Sequence, residues 1–402
     1  MNKFTIGIIR EYKVPPDNRA PLTPRQCHEL SLLYPRIDIR IEKSPVRCFK
    51  DEEYRKFGIG IIENPDQCDV LLGIKEVPVE KLIPGKIYVF FSHTIKMQER
   101  NKNMLRTILD KKIRLIDYEL ITDEEGHRLI GFGRWAGIVG AHYALLMLGK
   151  RTAKYELKPA RKCLNLQEMT DQYDDIKFPP ARFVVTGGGR VANGAIEIME
   201  RAKITRVSKE EYLAGGFDKP VYVQLHSKDL YRHKEGKVFI DEHYYLFSGE
   251  YESIFNPFLS KTDVLINCIF WGLNAPKLFE EFETVANDFS IKTISDIACD
   301  IPGSIPITLK MTSSDDPVYG YYPKSKIIDI PYTIDSIDVM SIPNLPNELP
   351  KDSSRDFGTI ILDTVLPAII NHPDKPLLER ATIAKGGKLM PRFEYLHDWL
   401  ER

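Results

Sequence analysis

His93 closes the apolar run "YVFFSH", and Lys96 follows three residues later, so an imidazole and an ammonium meet where a buried strand gives way to a loop. Taken alone, such a histidine reads as a hydrogen-bonded core group sooner than as an acid–base catalyst. The other apolar runs of the first 120 residues end in the same manner: Arg10-Glu11 after "FTIGII", Lys75-Glu76 after "DVLLGI", and Asp117 and Glu119 in "IRLIDYE". In an open parallel sheet ligands bind outside the carboxyl ends of the strands. If these strands are parallel neighbours, all four groups converge on one edge. Each alone reads as a solvated strand end; together they favour a site with His93 in it. Arg19, in the loop after the first strand, can reach the same edge, and its guanidinium fork suits a carboxylate.

A second kind of chemistry lies in "FVVTGGGRVANGA" (183–195). An apolar strand feeds a glycine turn that opens a helix, so free backbone N–H groups and the helix dipole can face a pyrophosphate. Gly187 and Gly189 fit the first two places of a dinucleotide fingerprint, with Gly188 between them and Arg190 and Val191 opening the helix. Ala192 holds the third place, with Gly194-Ala195 beyond. An ordinary tight strand-to-helix turn is the alternative. The next strand, "KITRVS", should end near Ser208, where an acidic residue usually holds the ribose of NAD. Arg206, Ser208 and Lys209 stand there instead, which tilts toward the 2′-phosphate of NADP(H), against Glu210 and Glu211 just beyond. Asp296 and Asp300 bracket the end of "TISDIACD"; an aspartate there either faces the nicotinamide or caps the next element.

The elements that must position these groups alternate between strand and helix. Strands are expected over 4–9, 37–43, 69–75, 87–93 and 113–119, a helix over 96–112, and another that Thr23 caps with Pro24 in its first turn. A hairpin is expected around Glu125-Gly126, then a long apolar helix over 135–149. Residues 152–180 read as a linker or surface excursion. Buried strands are expected over 263–271 and 292–300, whereas 210–262 carries no assignable periodicity. The fold class that follows is α/β: two Rossmann-like, doubly wound parallel-sheet domains separated by a cleft. The 56 basic and 57 acidic residues form no block of like charge, which predicts neither nucleic acid nor a membrane surface as partner. The start of the chain lacks a signal-peptide pattern, and "AGIVGAHYALLMLG" is too short to span a bilayer. Six cysteines without metal spacing read as reduced thiols, and no metal is expected. A cytoplasmic protein is the expectation.

The segments "IGIIREYKVPPDNRAPLTP", "LLGIKEVP", "FFSHTIKMQE", "RLIDYELI", "GFGRWAGIVGA", "SDIACDIPGSI" and "SIPNLPNELP", in this order, resemble the L-lysine-forming saccharopine dehydrogenases. The match is closest to the lysine–2-oxoglutarate reductase half of bifunctional lysine-degrading enzymes. More distantly the chain is similar to alanine dehydrogenase and the first domain of transhydrogenase. The resemblance implies a discontinuous substrate domain (1–134 and 347–402) and an NAD(P)-binding Rossmann domain (135–346). It implies reversible, NAD(P)-dependent reductive condensation of L-lysine with 2-oxoglutarate to saccharopine. By motif position Lys75 and His93 would be the acid–base pair, tuned by Glu76 and Glu119, and Arg19, Lys96 and Arg128 would hold substrate carboxylates. The nucleotide is expected on Gly187, Gly188, Gly189, Arg190, Val191, Ser208, Asp300, Asn344 and Leu345. The residue types agree, because a lysine ε-amine titrating near ~10.4 must lose a proton before it attacks a carbonyl. Pro302 and Pro306 depart from the pattern of relatives, and the chain ends at 402, where the bifunctional enzymes continue into a second activity. Two other readings stand beside this one: an alanine dehydrogenase-like enzyme, and a non-catalytic nucleotide sensor. The oligomeric state is open.

Overall fold

A computed structural model describes residues 4–272 and 274–402. The chain forms two compact units, one of residues up to Phe132 together with Pro350–Arg402, the other Gly133–Leu349.

The first unit is built on six parallel strands: β1 (Phe4–Ile8), β2 (Ile37–Glu42), β3 (Gly60–Ile62), β4 (Val70–Leu72), β5 (Ile87–Phe90) and β6 (Arg114–Asp117). Their spatial order is β6-β5-β4-β1-β2-β3, and the C-terminal strands Thr382–Lys385 and Lys388–Leu389 extend the sheet antiparallel beside β6. Covered on both faces, the central strands are continuous apolar runs, as buried parallel strands must be. The chain leaves β1 for β2 and β3 on one side and returns to β4 on the other. The crevice between the carboxyl ends of β1 and β4 is therefore the switch point at which such sheets bind ligands. Thr23 caps helix Pro24–Leu33 through a reciprocal pairing with Gln26. An aromatic cluster supports the β5–β6 end of the sheet: Phe91, Tyr118, Phe132 and Phe357, the last on helix Pro350–Ile360. Three expected elements are shorter than their patterns. The strand over 113–119 stops at Asp117, where a 3₁₀ turn, Tyr118–Leu120, begins. The helix over 96–112 becomes a turn, Thr94–Lys96, then helix Glu99–Asp110. The expected hairpin closes on a single bridge, Thr122 to Arg128.

The second unit carries β7 (Arg182–Thr186), β8 (Thr205–Arg206), β9 (Val221–Leu225), a two-stranded ladder of β10 (Tyr231–His233) and β11 (Tyr251–Ser253), then β12 (Val264–Asn267), β13 (Thr293–Asp296), β14 (Val318–Tyr322), β15 (Ile327–Asp329) and β16 (Ile337–Met340). The main sheet runs β15-β14-β16-β13-β12-β7-β9-β8, all strands in one sense except β14, which is antiparallel to both its neighbours. This order corrects one sequence expectation. The strand beside β7 is not the one leading to Ser208 but β9, which runs level with it from Arg182↔Val221 to Thr186↔Leu225. The two-residue β8 pairs only with the start of β9, at the sheet edge. Helix Gly133–Thr152 is buried along most of its length, consistent with its apolar composition all round. It lies so close to helix Arg190–Arg201 that a Cβ at Gly194 would run into the Arg134 carbonyl. The departure from the glycine fingerprint thus has a packing reason: Gly194 makes the close approach while Ala192 is simply buried. The 152–180 excursion holds a turn, Ala160–Lys162, and a short helix, Leu166–Asp171, capped by Asn165. Among the described residues no helix is long and apolar enough to cross a membrane.

Candidate active site

At the carboxyl end of β5 the backbone of His93 enters the left-handed region (φ 52°, ψ 16°), and Met97 does the same at φ 49°, enclosing the Thr94–Lys96 turn. A histidine held there stores strain of order 1–3 kcal/mol and persists only where its surroundings over-determine it. Those surroundings are visible. Asp117, fully buried at the end of β6, accepts from the backbone N–H and hydroxyl of Ser92 and from the N–H of Glu119 (2.8 Å). One carboxylate thereby fixes the exits of two neighbouring strands. Burial pushes the Asp117 carboxyl above its ordinary range, against the opposing hydrogen bonds. The His93 ring lies parallel to Phe91, centroids 6.4 Å apart.

The turn aims His93 Nδ1 at Glu76 Oε1, 2.6 Å away, and the other Glu76 oxygen faces Lys13 Nζ at 3.5 Å. Burial alone would raise the Glu76 carboxyl; the hydrogen bond and charge of His93, with Lys13, outweigh it and bring the group to about 2. A carboxylate on Nδ1 fixes the tautomer of the neutral ring and leaves Nε2 as the basic nitrogen. Lys75, beside Glu76, makes no ion pair among the described residues; burial first, then the Arg19 charge, lowers its ammonium from 10.5 to about 8. Its backbone is clamped from the segment after β1: Glu11 accepts the N–H groups of Ile74 and Lys75 at 2.6 and 2.9 Å, and burial raises the Glu11 carboxyl to about 8. A third group stands on the neighbouring turn. Glu119 Oε1 faces Lys96 Nζ (3.4 Å) and Arg128 Nη1 (3.3 Å), while its Oε2 is buried without a hydrogen-bond partner. Arg128 also lies over the Phe91 ring at 5.4 Å.

Six of the residues singled out by sequence are thus grouped at this edge: Lys75, Glu76 and His93 on one side, Lys96, Glu119 and Arg128 on the other. Arg19 differs from its expectation. Its side chain is 2% exposed, its fork is taken up by Asp17 (Nε to Oδ1, 2.9 Å), and it stacks on Phe132 at 4.1 Å. It acts on Lys75 as a buried charge, whereas Lys96 and Arg128, 46% and 37% exposed, are accessible cations. Lys13 and Asp17 were not singled out, although both stand in the loop that supplied Arg19.

In the second unit Gly187 turns the chain at φ +89°, its Cα under the Cys268 carbonyl. Gly189 caps helix Arg190–Arg201 without a side chain, and nothing lies within 4 Å of where its Cβ would be. A helix head beside bare glycine fits a pyrophosphate. Arg190 is exposed and Val191 half-buried at the head of that helix. Ser208 is elsewhere: its hydroxyl accepts from Glu211 N and caps helix Lys209–Ala214, so it belongs to a helix cap on the sheet edge. Asp300 is exposed beyond β13, and Asn344 precedes a turn whose first residue, Leu345, is buried in the core. Asp296 is spent internally, accepting from Thr308 (2.6 Å) and Asn267 (2.8 Å), with burial raising it to about 6. What the sequence missed is the end of β9. Gln224 donates to the Gly187 carbonyl and accepts from Arg206, and His226 sits against Gly188. The apolar "VYVQL" was the available signal.

Residues 7–139 match the family described as "Alanine dehydrogenase/PNT, N-terminal domain". Over its whole length the chain is 30% identical to alpha-aminoadipic semialdehyde synthase, mitochondrial, of Bos taurus, covering 48% of that protein. It is 30% identical over 97% of its length to the Arabidopsis thaliana alpha-aminoadipic semialdehyde synthase, covering 41% of it. The chain therefore spans about half the length, or less, of these relatives. It is 24% identical to saccharopine dehydrogenase [NAD(+), L-lysine-forming] of Schizosaccharomyces pombe over 93% of this chain and 95% of that one. Among solved structures, an L-alanine dehydrogenase superposes with a TM-score of 0.68 at 15% identity, over 98% of this chain and 99% of that one. The transhydrogenase of Sinorhizobium meliloti gives 0.61 at 13%, over 96% and 100%. These two show the shared fold.

Proposed function

We propose that this chain, whose residues 7–139 match the alanine dehydrogenase/PNT N-terminal domain family and which is similar to alpha-aminoadipic semialdehyde synthases and L-lysine-forming saccharopine dehydrogenases, condenses L-lysine with 2-oxoglutarate reductively to saccharopine at the first unit's sheet edge. The observation that carries this reading is the pairing of His93 with Glu76 beside a lysine whose ammonium is lowered to about 8.

Condensation needs a neutral amine, a proton donor for the carbonyl oxygen, and a route for that oxygen to leave as water. Lys75 is suited to accept the proton of the substrate ammonium, because burial and Arg19 leave a larger share of it neutral than an exposed lysine would have. His93, as the imidazolium, then protonates the ketone oxygen from Nε2 as the C–N bond forms; Nε2 takes up the proton that the newly bonded nitrogen releases and returns it to the hydroxyl as the carbinolamine loses water. Glu76 stabilises the imidazolium in both steps and keeps the ring oriented, and Asp117 holds the turn that carries it. Lys96 and Arg128 are the accessible cations for substrate carboxylates, with Glu119 beneath them preventing an uncompensated positive pair. The glycine turn of the second unit would hold NAD(P)H, which supplies the hydride to the imine carbon when bound.

Oxidation of NADPH and of NADH followed at 340 nm tests the proposal, with lysine plus 2-oxoglutarate in one cuvette and pyruvate plus ammonia in another. Oxidation confined to the first mixture supports it. Oxidation with pyruvate and ammonia would move the chain to an alanine dehydrogenase reaction, and silence in both would leave nucleotide binding without this chemistry.

A further inference from the structure

Three side chains that neither the reaction nor the glycine turn uses converge beside the β10–β11 ladder. They are His233 at the end of β10, His243 on the short helix Asp241–Leu246, and Glu250 just before β11. Their ligand atoms all lie within 4.8 Å of one another. Glu250 Oε2 stands 3.1 Å from His233 Nε2 and 3.8 Å from His243 Nε2. Ligands on a tetrahedral zinc ion, with bonds of ~2.0–2.1 Å, stand ~3.4 Å apart, so small side-chain movements would close these atoms on one ion. The ladder fixes the set: His233 pairs with Tyr251 across it, and the Lys234 N–H donates to the Glu250 carbonyl at 2.9 Å. The Tyr251 hydroxyl meets His243 Nδ1 at 3.0 Å and leaves Nε2 toward the other two groups. A metal-bound imidazole is oriented through its second nitrogen in this way. The His233 side chain is 3% exposed, those of His243 and Glu250 36% and 51%, so one ligand is anchored in the interior while the open side faces water. Among the described residues no lysine or arginine pairs with Glu250, and its charge is available to a cation. One adjustment is required. The Glu235 N–H donates to His233 Nδ1 at 3.1 Å, which puts the ring proton on Nε2, facing Glu250. An entering ion displaces that proton to Nδ1, and the exposed Glu235 N–H turns to water.

We propose that His233, His243 and Glu250 form a site for one divalent transition ion of the zinc class, with water in the remaining position. Two imidazoles and one carboxylate suit zinc, whereas magnesium and calcium take shells of oxygen. Through His243 the ion ties helix Asp241–Leu246 to the ladder, a helix too short to be stable by itself. The sequence hides the set because nine and six residues separate its members, wider than the short ligand spacings of zinc motifs. Asp123, Glu125 and His127 also gather, but they share one turn and none is buried, so no interior ligand anchors them. The proposed site is independent of the lysine reaction.

Titration of the intact, chelator-stripped protein with zinc against a colorimetric zinc indicator reads the site without any turnover. One equivalent should bind with a Kd of about 1 μM or tighter. His243→Ala and Glu250→Gln should each weaken it by at least about a hundredfold. Tyr251→Phe, which keeps the ring and removes the hydroxyl from His243, should weaken it by about tenfold. His127→Ala should leave it unchanged. A cooperative melting transition in each metal-free variant shows that it is folded, and zinc should raise that temperature in wild type and in neither ligand variant. Cobalt(II) in place of zinc should give the visible absorption of a four-coordinate site in wild type and not in His243→Ala. No equivalent bound at that affinity, several bound weakly, or one that survives both ligand substitutions would overturn the site.

Discussion

Lys75 is held at the site at a cost, and replacing it with methionine should make the protein more stable and less active together. The ammonium is lowered from 10.5 to about 8, by burial and then by Arg19. A gap of about 2.5 pH units, at ~1.4 kcal/mol each, is about 3 kcal/mol by which folding disfavours the charged form. Below pH 8 the lysine is protonated in both folded and unfolded chains, so the folded state carries that cost in full. Between about 8 and 10.5 the folded chain has released the proton and the unfolded chain has not, so stability rises with pH across that window. Lys75→Met removes the charge and keeps the apolar stem. At pH 7 the variant should therefore exceed wild type by up to about 3 kcal/mol, roughly 6 to 12 °C in the melting temperature of a unit this size. The advantage should shrink from pH 8 upward and close near 10.5. Reductive condensation should fall by about 10²–10⁴ in kcat/KM, the range for loss of a positioned acid–base group. Differential scanning calorimetry across pH 6 to 10.5 beside initial rates measures both. A variant less stable than wild type at pH 7 would refute the reasoning, because Lys75 would then be contributing to folding through a partner of its own.

Two further outcomes follow from the same geometry. Glu76 is depressed from 4.5 to about 2, so its contribution of about 3 kcal/mol is present above pH 4.5 and is lost as pH falls toward 2. Glu76→Gln should be less stable than wild type at pH 7 by about that amount, and urea titrations at descending pH should show the two converging. Ser208→Ala should cost about 1 kcal/mol as a lost helix cap and leave nucleotide affinity within about twofold; a large loss of affinity would return the ribose site to that strand end.

The α/β class was legible because buried parallel strands leave long apolar runs, and the runs ending at Lys75, His93 and Asp117 are such strands. The grouping of their end residues was less so. That His93 meets Glu76 depends on β4 and β5 being neighbours and on a left-handed backbone at 93, and no local pattern encodes either. Arg19 read correctly as a residue of that loop, but its partner is two residues away at Asp17, and burial decides whether a guanidinium faces a ligand or a neighbouring acid. The 210–262 stretch resists reading because its strands are three to five residues long, too short for a period of two to be counted with assurance. β9 lies hidden there, so in sequence the strand after the phosphate helix reads as β7's neighbour. In the fold it is only the edge.

The most direct test of the central claim is His93→Ala, measured at once for kcat/KM with lysine and 2-oxoglutarate, for melting temperature and for nucleotide affinity. Loss of activity by about 10²–10⁴, with nucleotide affinity unchanged and the melting temperature lowered no further than in Glu76→Gln, which breaks the same pair, is the predicted result. Unchanged turnover, or a collapse of stability in step with activity, would place His93 in the architecture and not in the chemistry.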